Sequence, residues 1–197
     1  DIPALYQRVS RAGRQPVFQD RARSTAMASY PVDMSGWATA FVDVENDGQE
    51  ALLEINGHTN PPPGKRGQLI PQTPMLLTRH GSELRYHPAG PEQDLLARAF
   101  VGRGGVFCDL DGDGTTDLAL ACNNQPASVW LHRPCASAWL EVAPVGTGSN
   151  RDAIGARVEL MDAAGAVERV KQVVAGDSYY SSNPYRVHFG LGPKDQP

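Results

Sequence analysis

One pattern occurs twice, 66 residues apart, and it restricts what this chain can fold into more than any other feature. Gly36-Trp-Ala-Thr-Ala-Phe41-Val-Asp43-Val-Glu45-Asn-Asp47-Gly48 aligns with Gly102-Arg-Gly-Gly-Val-Phe107-Cys-Asp109-Leu-Asp111-Gly-Asp113-Gly114. The first glycine, the Phe, three acidic positions, the loop glycine and a following Leu (Leu52 and Leu118) coincide. A weaker match precedes each copy: Leu5-Tyr-Gln-Arg8 and Val17-Phe-Gln-Asp20 resemble Leu76-Leu-Thr-Arg79 and Leu84-Arg-Tyr86-His. A third copy begins at Val129-Trp-Leu-His-Arg133 and then stops. Each unit therefore reads as an outer strand pair, a linker, and an inner pair joined by an acidic loop. Four short strands in about 60 residues is the pattern of a propeller blade, and propellers close with roughly four to eight blades. Two units cannot close one. Either the chain is the C-terminal part of a longer propeller, which is the favoured reading, or self-association or another chain completes the sheet.

The second acidic loop carries the clearest chemistry. Asp109, Asp111, Asp113 and Asp117 stand at relative positions 1, 3, 5 and 9, with a glycine at position 6. Four carboxylates within nine residues repel one another unless a cation sits among them. An all-oxygen donor set of flexible geometry suits Ca²⁺ better than Mg²⁺ or Zn²⁺. Gly114 permits a sharp turn that brings a backbone carbonyl, that of Thr115, toward the ring. An EF-hand would need a Glu at position 12 and flanking helices; Leu120 stands there, and the flanks 106–109 and 118–121 read as apolar strands. The loop is thus expected to close a β-hairpin around Ca²⁺. In the first copy, Asp43, Glu45 and Asp47 keep positions 1, 3 and 5, but Ala51 occupies position 9. A weaker second site is expected there, and its occupancy is left open.

Composition excludes several classes. The chain has 197 residues, a net charge of −4 and 41% apolar residues, with no basic run that would track a nucleic acid. No apolar stretch is long enough to span a bilayer as a helix. Gly (20) and Pro (16) favour turns and short strands over long helices. Cys108, Cys122 and Cys135 form no framework; Cys108 and Cys122 fall too far apart along the hairpin for a disulfide, a Cys122–Cys135 bridge stays open, and buried free thiols are favoured. His58, His80, His87, His132 and His188 show no HxxxH or HExxH pairing, and no GxSxG is present.

A boundary is expected near residue 134. Beyond it, Trp139-Leu-Glu-Val, Ala156-Arg-Val-Glu-Leu160, 167–174 and Arg186-Val-His-Phe-Gly-Leu191 alternate as strands of a small β domain over 135–197. Its Gly-rich loop 146–157 lacks a phosphate-loop pattern. Asn150, Arg151 and Asp152 there read as bonding the loop's own backbone and each other, and with Arg157 and His188 they make up the candidate ligand or partner loop. His188 alternates with Val187 and Phe189 and reads as a surface or satisfied histidine.

Both acidic loops resemble the FG-GAP (integrin-α-type) repeat, whose DxDxDGxxD loop joins two blade strands. That resemblance covers 1–133, is specific at 102–120, and implies a mainly structural metal. SNRDAIGARV and AGDSYYSSNPYRVHFGLG, with the preceding WLEV, resemble the ASPIC/UnbV domain. That domain follows FG-GAP/VCBS-type repeats in bacterial proteins and in animal cartilage acidic protein, and its UnbV branch is associated with enediyne gene clusters of actinomycetes. The whole chain is expected to be all-β, with propeller-type blades over 1–134 and the β domain after them. The favoured function is a Ca²⁺-stabilised, non-catalytic binding or scaffold protein for a protein or small-molecule ligand, a polyketide among the candidates. The alternative, an enzyme or accessory enzyme of enediyne maturation, would need Asn150, Arg151, Asp152 and His188 in one cleft; Tyr179, Tyr180 and Tyr185 could line a pocket for an apolar, unsaturated ligand. The resemblance favours an extracellular or periplasmic location and leaves the cytoplasm open.

Overall fold

The computed structural model describes residues 4–10, 13–29, 31, 33–59, 64, 67–80, 83–87 and 94–193. Among these the chain is all-β, with three 3-10 turns and no α-helix. The described residues form thirteen strands in five antiparallel sheets. The chain opens on a pair, β1 (Tyr6–Arg8) and β2 (Phe18–Asp20), exposed along its length. A four-stranded meander follows: β3 (Gly36–Val42), β4 (Ala51–Asn56), β5 (Met75–His80) and β6 (Glu83–His87). Next come β7 (Gly102–Cys108), β8 (Asp117–Cys122) and β9 (Ser128–Trp130) in one three-stranded sheet. The last segment holds β10 (Ser137–Val142) paired with β13 (Val187–Pro193), and β11 (Arg157–Met161) paired with β12 (Val167–Gln172).

The strand grouping differs from the expected one in its phase. β5 and β6 extend β4 rather than leading into β7, because Leu52 and Leu53 of β4 pair with Leu77 and Leu76 of β5. Each acidic hairpin thus opens a sheet and the outer strands follow it. The residues around Val129 likewise form β9, which pairs with β8 and completes the second sheet instead of starting a third unit. A repeat reveals its period; it does not reveal where a sheet begins.

Burial follows the two-residue period of a strand. On β4, Leu53 and Ile55 face a core shared with Ala38, Val42, Phe107, Leu118 and Leu120, where the two sheets meet. Leu52 on the opposite face packs with Met75, Leu77, Met27 and Ala22. Both faces of β4 are covered, so all six of its residues are buried. The final segment has its own small core of Val173, Val187 and Phe189, with Val142, Val158, Leu160 and Tyr185 against it.

That segment also closes an open edge. β7 pairs with β8 on one side; on the other, Gly105 N–H donates to Ser181 Oγ (3.2 Å) and Phe107 N–H to Asn183 Oδ1 (2.7 Å). Alternate amides point to the same edge of a strand, so two side chains of one loop serve both. Asp177 fixes Asn183 by accepting from its amide and its Nδ2. The three cysteines are free thiols, and the Cys122–Cys135 bridge does not form. Cys122 stands opposite Gly102, six residues along β7 from Cys108.

Candidate functional site

The β7–β8 turn builds the acidic centre from its own backbone. β7 ends at Cys108, which pairs with Asp117, so each strand boundary lies one residue before the flanks 106–109 and 118–121 expected from the sequence. The intervening loop turns through Gly112 (φ +85°) and Gly114 (φ +87°), a conformation that side chains disfavour. Asp109 accepts from Gly112 N–H (2.7 Å) and Gly114 N–H (2.8 Å), which folds the loop back over its first carboxylate. Asp111 Oδ1 accepts from Asp113 N–H at 3.2 Å. Asp117 is 2% exposed and accepts from Leu110 N–H (2.8 Å) and His132 N–H (2.7 Å).

One carboxylate oxygen from each of Asp109, Asp111 and Asp117 lies within 4.8 Å of the others. Asp113 stands outside this group. Its Oδ1 accepts from both the amide (2.8 Å) and the hydroxyl (2.5 Å) of Thr115, which hold its carboxyl below the ordinary carboxylate range. Thr115 itself is buried. Of the four carboxylates expected around the metal, three therefore converge, while that of Asp113 is held by Thr115. Among the described residues, no ion pair neutralises any of these acids. The donor set fits a hard, oxygen-seeking cation: Asp109, Asp111 and Asp117 would hold it, with Asp113 next to them in the turn.

The first loop keeps the turn and loses the cluster. Asp43 accepts from Asp47 N–H (3.1 Å) and Gly48 N–H (2.8 Å), much as Asp109 does. Asp47 bonds Gln49, Glu45 is exposed, and Ala51 is a buried ladder residue opposite Val42. Among the described residues, three carboxylates converge only in the second loop. Burial pushes the Asp43 carboxyl up, and the neighbouring Asp47 acts in the same direction.

What the first loop does instead centres on Asn46, which the sequence reading passed over. It is fully buried at φ +54°, a left-handed conformation that Asn tolerates better than most residues. Its Nδ2 donates to the carbonyl of Gly114 in the second loop (2.8 Å) and to Cys135 Sγ (3.3 Å). Its Oδ1 meets His188 Nε2 at 2.7 Å, and its carbonyl accepts from Gly192 N–H at 2.7 Å. One side chain thus ties together both acidic loops and β13. Trp139 of β10 stacks on His188 (5.8 Å between centroids, 20° between planes) and lies directly on Gly114, where no side chain would fit. Gly190 is pressed equally tightly against Asp43 and Asn46. Burial draws the His188 pKa down; Lys171 adds to this, while Asp43, Glu141 and Asp109 oppose it.

The loop 146–157 stands apart. Asn150 exchanges two hydrogen bonds with Ile154, Gly146 N–H donates to the Arg151 carbonyl, and Arg157 pairs with Glu159 at 2.7 Å. Asn150, Arg151 and Asp152 are exposed. His188 lines a cleft of about 410 Å³ with Asp43, Asp109, Glu141, Lys171 and Arg186; none of Asn150, Arg151 and Asp152 reaches it. Tyr185 packs in the small core, and Tyr179 meets Trp37 edge-on, so the tyrosines do not line that cleft either. The grouping that the enzyme alternative needed does not form.

Residues 146–197 match the sequence profile of the family described as ASPIC and UnbV. No curated protein matches the chain.

Proposed function

We propose that this chain is a Ca²⁺-stabilised, non-catalytic binding or scaffold protein, in which FG-GAP/VCBS-type propeller blades are closed by an ASPIC/UnbV unit. The observation that carries the reading is the convergence of Asp109, Asp111 and Asp117 within 4.8 Å with Asp117 buried. Three like charges at that spacing oppose folding, and a cation reverses the sign of the interaction. Bound there, the ion supplies charge neutralisation and a fixed loop shape. The chain's own residues do the rest: Asp113 and Thr115 stiffen the turn, and Asn46 passes the position of Gly114 on to His188. Two successive antiparallel sheets that each open on a homologous hairpin and pack inner strand to inner strand support the blade reading. The separation of His188 from Asn150, Arg151 and Asp152 favours binding over catalysis. An enediyne pathway is the setting implied by the UnbV resemblance.

The test is a thermal melt of the whole chain with Ca²⁺, with Mg²⁺ and with EDTA. Ca²⁺ is expected to raise the midpoint by several degrees, Mg²⁺ less, and EDTA to abolish the gain. Identical melts in Ca²⁺ and EDTA would sink the metal reading.

A further inference from the structure

We infer that a second cavity, of about 870 Å³, binds a small amphipathic anion: a carboxylate carried on an apolar or aromatic body. It lies between the β1–β2 pair, the β3–β6 sheet and the β12–β13 end of the final segment, away from the three-carboxylate cluster. Its volume falls within the roughly 300–1,000 Å³ of small-molecule sites. The inference rests on the reading of the chain as a binding protein, and it does not depend on the cation.

Charge decides the sign of the ligand. Arg21, Arg79, Arg169 and Lys171 line the cavity with Asp43, Glu50 and Glu83. Lys171 and Glu50 neutralise each other at 2.7 Å. Both oxygens of Asp43 are taken by amides of its own loop. With Arg79 set against Glu83, Arg21 and Arg169 face only Asp43, so the lining keeps an excess of one positive charge. Arg169 spends one amino group on the carbonyl of Gly190, and a guanidinium has five N–H donors. Arg21 is half-buried on the same wall; its Nε is enclosed, so its terminal amino groups are the donors a ligand would meet. A carboxylate that accepts from guanidinium amino groups makes charge-assisted hydrogen bonds, about twice as strong as neutral ones.

The remaining wall sets the ligand's body. Tyr6 is 67% exposed and Phe41 60% exposed, large apolar surfaces on the wall of the cavity, with Leu84 beside them. Aromatic faces next to guanidinium groups suit a flat or branched apolar body with one anionic end. A cation would meet the excess positive charge, and a neutral apolar molecule would offer the guanidinium groups no acceptor.

The experiment is a fluorescence titration of the full chain with 1-pyrenebutyrate and with the neutral 1-pyrenebutanol, in Ca²⁺. The acid is expected to bind saturably and at least about tenfold more tightly than the alcohol, the difference one charge-assisted hydrogen bond supplies. Arg21→Gln is expected to remove most of that preference with an unchanged melting midpoint, and Arg169→Gln to reduce it. Glu83→Gln should leave the preference intact or raise it. Equal affinity for acid and alcohol, no saturable signal, or an Arg21→Gln variant that keeps the full preference overturns the inference. A protein that melts higher in Ca²⁺ yet shows no preference for the acid keeps the scaffold reading and loses only this site.

Discussion

Asn46 carries more connections than any acidic residue in the loop that contains it. Replacing it with Ala strands the buried Gly114 carbonyl and His188 Nε2, and each orphaned partner costs about 1–3 kcal/mol. Asn46→Ala is therefore expected to lower the unfolding free energy by about 2–4 kcal/mol, measured as a shift of the denaturant midpoint at constant slope. A loss under about 1 kcal/mol would show that the junction is not where the two halves are held. Asp117 and Asp113 should separate cleanly. Asp117→Asn removes a converging ligand and should abolish the Ca²⁺-dependent rise in melting temperature, whereas Asp113→Asn should retain part of it. His188 makes a pH prediction. Its folded pKa is depressed, so the unfolded chain binds the extra proton first; the stability linked to neutral His188 is present above the unfolded pKa, about 6.5, and drains away as pH falls toward the folded value. The groups facing it are Lys171, Asp43, Glu141 and Asp109. Between pH 7.5 and 5.5 the wild type should lose more melting temperature than His188→Gln in the same buffer; parallel losses would remove the histidine from the account.

At the scale of elements, the hairpins were plain in the sequence because local chemistry writes them. Apolar flanks, carboxylates at alternate positions and Gly114 place the turn within one residue of where it lies. The strands of the final segment were equally visible, since Val187 and Phe189 alternate toward one core. Two things were not. The sheet phase was misplaced because Leu76 and Leu77 match a β1-like pattern and give no hint that they pair back onto Leu52 and Leu53. The contact between Asn46 and His188 spans 142 residues, and nothing local to either residue announces it. Only Asn at the fourth loop position, where a left-handed residue is common, offered a clue. The capping of β7 by Ser181 and Asn183 belongs at this scale too. Asn183→Ala leaves the Phe107 amide unpaired and is expected to cost about 1–2 kcal/mol, whereas exposed Arg151→Ala should stay within about 0.5 kcal/mol of wild type. Comparable losses in the two variants would mean that the loop merely covers the strand.

On the scale of the whole molecule, the final segment behaves as a lid bolted onto both acidic turns rather than as an appendage. Trp139 lies on Gly114, Gly190 on Asp43, and Lys171 on Glu50. Occupancy of the second loop and seating of the segment should therefore be mutually favourable, by whatever free energy Gly114 transmits through Asn46. The doubly covered strand has a further consequence, one of timing. β4 has neighbours on both edges and all six residues buried, while β1 and β2 are exposed throughout. Backbone deuteration should accordingly be graded across the chain, with β1 and β2 labelled in seconds and the amides of Leu52 and Leu53 exchanging only when the entire structure opens. The slowest protons would then report the global free energy directly, and the lag between them and β13 would measure how tightly the lid is fastened.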